Sequence, residues 1–326
     1  MKNLRRSLSL LLALALMLGA SVALAEDSSP KIGILQYVEH AALDSAREGF
    51  VQALTENGYE AVVETIDTKN ASGDNATLQL MAEQFATGDY DLVLGIATPA
   101  VQALLTAIAD KPILGTAVTD YASSGLVVSN DAPGGNLTGT SDMNPVDKQI
   151  DLLVQLVPDA KTIGILYTSS EINSEIQAEM AQQEAEAKGL SVVVKTISAV
   201  GEVQQAVESL VGQVDALYIP TDNICASSMA VISSVANPAG LPVIVGEENM
   251  CNEGGLATIG LNYTKLGYQT GLMAIRILEE GANPAEMPIE TLTDADIYLN
   301  QVTADEIGLT FPQELIDAAS NIVTAE

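Results

Sequence analysis

Six short stretches of this chain carry the side chains that could hold a small molecule. Gln36, Tyr37, Glu39 and His40 follow one apolar run, Ala97-Thr98-Pro99-Ala100 a second, and Thr119-Asp120-Tyr121 a third. In the second half, Thr168-Ser169-Ser170-Glu171, Pro220-Thr221-Asp222-Asn223 and Glu247-Glu248-Asn249 stand in matching places. Their chemistry is recognition of a zwitterion that has a side chain of its own. Thr98, with the free backbone N–H groups of a helix start, makes an anion site. Ser169 and Ser170, at the start of a later helix, make another. Asp120, Asp222 and Glu247 favour a cation, and the rings of Tyr37 and Tyr121 offer faces. Any one Ser, Thr or Asp after a strand is as readily a plain helix cap. It is the convergence of the whole set that points to a ligand.

The same residues do not support catalysis. His40 is the single histidine, has no nucleophile motif beside it, and reads as a helix-start or rim residue. There is no Gly-x-Ser-x-Gly, no phosphate loop and no Gly-x-Gly-x-x-Gly. Two cysteines and one histidine do not make a zinc site. Glu247 and Glu248 are adjacent at a strand end and point apart, a weak acid/base pair. Glu171 reads as a rim residue. No catalytic residue, metal or cofactor is expected.

The elements that must position these residues are announced by a repeat. Ile32-Gly33-Ile34-Leu35 recurs as Ile163-Gly164-Ile165-Leu166, and Gly58 with Val62 and Val63 recurs as Gly189 with Val193 and Val194, all at an offset of 131. Each copy reads as strands alternating with helices. In the first, strands are expected over Lys31–Tyr37, Ala61–Ile66, Asp91–Ile96 and Pro112–Val118. Helices are expected over His40–Asn57, over Asn75–Thr87 and from Pro99. In the second, the strands are Thr162–Tyr167, Ser191–Thr196, Ala216–Pro220 and Pro242–Gly246. The helices are Asn173–Lys188, Glu202–Val211 and Ile224–Asn237. This rhythm specifies an α/β fold with two lobes, each a parallel sheet flanked by helices. Ligands sit beyond the carboxyl ends of such strands. Thr98 lies seven residues after Asp91 and Asp222 seven after Asp215, so a hydroxyl and a carboxylate occupy equivalent places on opposite walls. Pro133 to Gly139, rich in turn formers, reads as the crossover between copies. Further elements at Leu256–Leu261, Thr264–Glu280, Ile297–Asn300, from Thr303 and from Pro312 suggest two more crossings, which would make a hinge.

The chain has 326 residues, comfortable for two lobes and a leader. Lys2, Arg5 and Arg6 precede an apolar stretch, Leu8 to Leu18, that ends in Ala23-Leu24-Ala25, so cleavage after Ala25 is expected. Removing three positive charges from a net −30 leaves −33. Such a surface repels nucleic acid and anionic lipid. Outside the cytoplasm two thiols can persist as a disulfide. Cys225 and Cys251 each follow a strand of the second copy, and a bridge between them is expected, with two unpaired thiols as the alternative.

Several of these stretches resemble one bacterial family. Ile32 to His40 with Ala42-Leu43-Asp44 and Arg47-Glu48-Gly49-Phe50 is similar to the start of transporter substrate-binding proteins. Ala97-Thr98-Pro99-Ala100, Ala117-Val118-Thr119-Asp120, Pro133 to Asp142 and Pro220-Thr221-Asp222-Asn223 match it too. The resemblance covers Lys31 to about Pro312. It implies a two-lobed periplasmic-binding-protein type I fold with three hinge crossovers. It also implies delivery of a small solute, an aromatic amino acid, to the permease of an ABC importer. On that reading residues 26–142 with 262–288 form the first lobe, and 143–261 with 289–326 the second. Carried onto this chain, the resemblance has Thr98, Pro99 and the backbone near Ala100 hold the carboxylate. Asp222 holds the ammonium with help from Asp120, while Ser169, Ser170 and Asn173 close from the second lobe, and Thr119, Asn223 and Glu247 are further expected ligand-binding residues. Gln36, Tyr37 and Glu39 line the side-chain pocket. An exported monomer is expected, periplasmic or extracellular. The alternative is a sensor that presents a nucleoside, peptide or sugar to a receptor.

Overall fold

In the computed structural model, which describes residues 29–325, the first apolar run becomes β1 (Ile32–Gln36), buried along its whole length. The expected leader, Met1 to Ala25, lies outside the described residues. There follow α1 (Ala41–Glu56), α2 (Glu60–Val63), β2 (Asp67–Asn70), α3 (Asn75–Thr87), β3 (Leu92–Ile96), α4 (Thr98–Ala107), β4 (Ile113–Val118) and β5 (Leu137–Ser141). Then come α5 (Val146–Leu156), β6 (Thr162–Thr168), α6 (Ile172–Ala187), β7 (Ser191–Ile197), α7 (Val203–Leu210) and β8 (Ala216–Ile219). The second copy ends with α8 (Asn223–Ser227), α9 (Met229–Ala236), β9 (Val243–Val245), α10 (Glu248–Asn252) and β10 (Ala257–Gly260). The remainder is α11 (Tyr263–Glu280), β11 (Glu290–Thr291), β12 (Asp296–Asn300), α12 (Gln301–Ile307), α13 (Gln313–Ala318) and β13 (Asn321–Val323).

The repeat is visible in the topology. One sheet runs β11-β5-β4-β3-β1-β2 and the other β13-β12-β10-β9-β8-β6-β7. Each has its first strand between the second and the third, with parallel neighbours throughout the repeated part. The second sheet departs from the expected all-parallel form at β12, which is antiparallel to β10. The chain returns to that sheet from the opposite direction there.

The chain passes between the sheets three times, after β5, after β10 and after β11. Between the last two passages, α11 lies against α1 in close backbone approach. A methyl on Gly267 would stand 1.8 Å from the Ala46 carbonyl oxygen, and one on Gly49 2.0 Å from that of Thr264. Glu290 and Thr291 pair with β5, so the third passage begins only after Thr291.

Two expected elements are placed differently. Ala61–Ile66 is not a strand: Val62 packs into the core from the turn α2, and β2 is the polar segment Asp67–Asn70. An edge strand with one neighbour needs no apolar residues on both faces. Pro133 to Gly139 is not the crossover, because Leu137–Ser141 forms the buried strand β5. Its polar side chains are paired internally: Thr140 Oγ1 lies 3.0 Å from Thr116 Oγ1 and 2.8 Å from Thr270 Oγ1.

Cys225 and Cys251 are free, buried thiols, so the expected disulfide is not formed. Each packs as a small apolar side chain in one cluster with Met229, Ile232, Val245 and Met250. Burial pushes both thiols up, which makes them inert.

Candidate functional site

The carboxyl ends of both sheets' strands face one small cavity of about 20 Å³, room for about one water molecule. From the first sheet and its helices come His40, Leu43, Ala117 and Thr119. The passages contribute Asp142 and Tyr263. From the second sheet come Asn173, Thr221, Asp222, Asn223, Ala226 and Glu247. Among the described residues, three carboxylates line this wall and no lysine or arginine does.

Each carboxylate has its own environment. Asp142, just past β5, accepts from the Tyr263 hydroxyl at 2.6 Å through Oδ2, while Oδ1 has no partner. Burial pushes it up to about 6 against that hydrogen bond. Glu247 caps α10, accepting from the Asn249 and Met250 N–H groups at 2.6 and 2.8 Å, and burial pushes it up to about 7. Asp222 caps α8 through the Cys225 N–H at 2.8 Å and also accepts from the Thr168 N–H and hydroxyl. Its oxygens thus anchor β6 to α8, so it has a structural duty as well as a place in the wall. Behind it lies Glu171, 1% exposed, which is a buried residue and not a rim one. Its helix starts at the end of β6, and Asn223 and Asn173 turn their amides onto it.

The unpartnered buried polar atoms are mostly acceptors. They include Asp142 Oδ1, Glu171 Oε1, Asn173 Oδ1 and Gln177 Oε1. His40 Nε2 stands 3.4 Å from Asn223 Oδ1. The Asn223 amide nitrogen donates to Glu171, so that oxygen is an acceptor and His40 Nε2 is the donor. This leaves Nδ1, also without a partner, as a bare lone pair. Burial lowers the ring to about 4, which keeps it neutral. The wall therefore calls for hydrogen-bond donors and positive charge.

Two hydrogen bonds cross from one sheet's elements to the other's at this level. Besides the contact between His40 and Asn223, the Gln177 amide on α6 donates to Thr119 Oγ1 beyond β4, at 3.2 Å. Gln177 also donates to Thr221 Oγ1.

Of the residues expected to bind ligand, Thr119, Asn173, Asp222, Asn223 and Glu247 stand together in this cavity. Tyr37, Pro99 and Ser170 do not line it; they lie in two open grooves that share Asn75 and Ser170. The others do not converge. Gln36 is spent within its own sheet's layer, donating to Asp44 Oδ1 and accepting from Arg47. Glu39 is exposed. Asp120 closes a turn by accepting from Ala122, Ser123 and Asn130. Ser169 is exposed, and its hydroxyl donates to the Ile197 carbonyl. The anion site expected at α4 is largely closed. Pro99 has no N–H, and the Ala100 N–H donates to the Ala97 oxygen at 3.0 Å. What remains there is the buried, unpartnered Thr98 hydroxyl, beside Ala97 held at φ 81°. Tyr121 offers no ring face, because its ring lies over Gly115 and Gly139, where any Cβ would collide with it.

Asp142, Glu171, Gln177 and Tyr263 were not foreseen as site residues. Asp142 follows a strand whose polar composition hides it. Gln177 and Tyr263 reach the site from helices, which a rule about strand ends does not search.

Two α/β lobes joined by three passages, with the strands' carboxyl ends facing a shared cavity, define a periplasmic-binding-protein type I fold. The family model described as ABC transporter substrate binding protein matches residues 31–323, and the chain belongs to that family. A tyrosine-binding protein from Clostridioides difficile (strain R20291) is 45% identical over 279 residues, covering 85% of this chain and 81% of its own. The structure of an ABC domain in complex with L-Trp from Streptococcus pneumonia superposes with a TM-score of 0.88 at 36% identity, covering 91% of this chain and 100% of that one. The ligand-free, open structure of a Clostridium difficile substrate binding protein with adhesive properties is 44% identical but superposes at 0.68, with the same coverages. The chain is thus nearer in sequence to the open structure and nearer in shape to the L-Trp complex.

Proposed function

We propose that this protein captures an aromatic amino acid in the interlobe cavity, outside the cytoplasm, and hands it to the membrane subunits of an ABC importer. The observation that carries this reading is the wall of Asp142, Asp222 and Glu247 with no cationic side chain among its lining residues. A buried cluster of that kind is costly unless a cation enters it, and an ammonium brings both the charge and the donors that the bare acceptors lack. The buried Thr98 hydroxyl is the group at hand for the ligand's carboxylate. A groove of mixed lining that includes Tyr37, Val38, Val200 and Ile224 offers apolar surface for an aromatic side chain. The names of the relatives at 45% and 36% identity agree with this ligand class. Closure traps the ligand by bringing Asn223 against His40 and Gln177 against Thr119, and the closed pair of lobes is the form a permease recognises. Calorimetric titration of protein unfolded and refolded to remove carried ligand, against the common amino acids, tests the reading. Saturable binding of tyrosine, tryptophan or phenylalanine is expected. Binding of none of the three would overturn it.

A further inference from the structure

Glu171 has a geometry that capping does not explain. All its hydrogen bonds fall on Oε2, from the Asn223 N–H at 3.2 Å, the Asn223 amide at 2.5 Å and the Asn173 amide at 3.4 Å. Oε1, equally buried, has no partner. The charged and titratable neighbours that act with it are Asp222, the Cys225 thiol and the Tyr37 phenol. His40 reaches it through Asn223 and is neutral. None of these is a cation.

We propose that Glu171 is a specificity group of the cleft: it holds a proton while the cleft lacks a cation, and surrenders that proton to solvent as the ligand's ammonium enters. The proposal rests on the amino-acid reading above. Two buried carboxyls this close, Glu171 and Asp222, cannot both ionise cheaply without a cation between or beside them. Asp222 takes N–H and hydroxyl donors on both oxygens, whereas Glu171 has one oxygen with none. Glu171 keeps the proton, on the bare Oε1. Burial first, and then Asp222, push its carboxyl well above the ordinary range. An ammonium lodged against Asn173, Asp222 and Asn223 reverses that balance. The O–H bond of Glu171 breaks, the proton passes to buffer, and the ligand is unchanged. The wall's net charge is preserved, so a neutral ligand gains nothing from the exchange and an ammonium does. Asp142 and Glu247 face the same cavity, but burial pushes them up less far, to about 6 and about 7.

The test is calorimetric titration of refolded full-length protein with L-tyrosine and L-tryptophan at about pH 7.5, in phosphate and in Tris, whose ionisation enthalpies differ widely. Asp142 and Glu247 are then mostly ionised. The observed enthalpies should differ between buffers by the amount that release of roughly one proton requires, and Glu171→Gln should remove more than half of that difference. Equal enthalpies in the two buffers, or a difference that Glu171→Gln leaves intact, would overturn the proposal while leaving the function in place. Absence of binding by either amino acid would overturn both. If Glu171→Gln does not fold, the wild-type affinity decides. Tightening by up to about tenfold per unit as pH rises from about 6 to about 8 supports the exchange, and a flat profile removes it.

Discussion

The Tyr263 hydroxyl donates to Asp142 Oδ2 at 2.6 Å, and this bond ties the first passage between the sheets to the second inside the cavity wall. A second tie lies beside it, where Asn144 Oδ1 accepts from the Leu261 N–H at 2.9 Å. Hinge and site therefore share residues. A charge arriving at Asp142 acts on the segment about which the lobes turn.

Asp142→Asn is accordingly expected to separate binding from stability. Asp142 lines the cavity and its Oδ1 has no partner, and a hydrogen bond to a charged group contributes about 1.5–3 kcal/mol. Affinity for the aromatic amino acid should fall by roughly ten- to a hundredfold. The thermal midpoint of ligand-free protein should hold or rise, since an uncompensated buried charge is removed. Titration and differential scanning calorimetry on one preparation check both. A variant that binds as wild type would take Asp142 out of the site.

Thr119→Val tests the closed arrangement. The substitution is close in shape and removes the acceptor of the Gln177 amide across the cleft. A net contribution of about 1 kcal/mol per hydrogen bond predicts weaker binding by roughly fivefold, expressed as faster release. The midpoint of the ligand-free protein should change little. Stopped-flow dissociation is the measurement, and an unaltered rate would show that this bond does not hold the lobes together.

Ligand-free protein should be more stable at about pH 6.5 than at about pH 8. Burial raises Glu247 from an ordinary 4.5 to about 7 and Asp142 from 3.8 to about 6. The folded chain thus keeps protons that the unfolded chain has lost. That stability is complete below the ordinary values and is lost as pH rises through the raised ones. His40 acts in the opposite sense. Burial lowers it from 6.5 to about 4, so stability declines as pH falls between those values. Above about 6.5 the carboxyl trend stands alone, with a size on the order of 1 kcal/mol. A midpoint that rises with pH over this window would mean the wall is paired already.

The architecture was legible because repetition carries it. Ile32–Leu35 and Ile163–Leu166, at an offset of 131, became equivalent central strands β1 and β6 with neighbours in the same order. The rule of strand ends also brought Thr119, Asp222 and Glu247 to one wall. It failed where composition and structure part company. β2 and β5 are strands without apolar alternation, one because it lies at an edge and the other because its threonines bond to Thr116, Thr270 and the Met287 carbonyl. Without β5 the place of Asp142 could not be seen. Nothing in the residues around Glu171 distinguishes a buried acid from one at the rim. Only the approach of Asn223 and Asn173 from separate elements shows it buried.

The thiols give a direct chemical check. Cys225 and Cys251 are both free and buried, with thiols held protonated by burial. Unreduced native protein should react with a thiol reagent slowly or not at all, and the same protein in denaturant should show two reactive thiols. A reductant should not shift the thermal midpoint. Finding no reactive thiol in denaturant would restore the bridge.

Gly267→Ala should disturb the cavity from a distance. The new methyl would lie 1.8 Å from the Ala46 carbonyl oxygen and within 3 Å of the Ala46 Cα. The clash is with backbone on the facing helix, so no rotamer relieves it, and α1 and α11 must move apart. Overpacking of this kind costs about 1–3 kcal/mol. The movement also reaches the site, because α11 begins at Tyr263 and α1 starts next to His40. Tyr263 would shift from Asp142 and His40 from Asn223, so affinity should fall together with the midpoint. Leu272→Ala, at a partly exposed position on the same helix, changes helix composition without touching α1 in this way and should leave both nearly unchanged. If Gly267→Ala lowered the midpoint but bound ligand as wild type, the α1–α11 contact would be a matter of stability alone, and the cavity would take its shape from the passages.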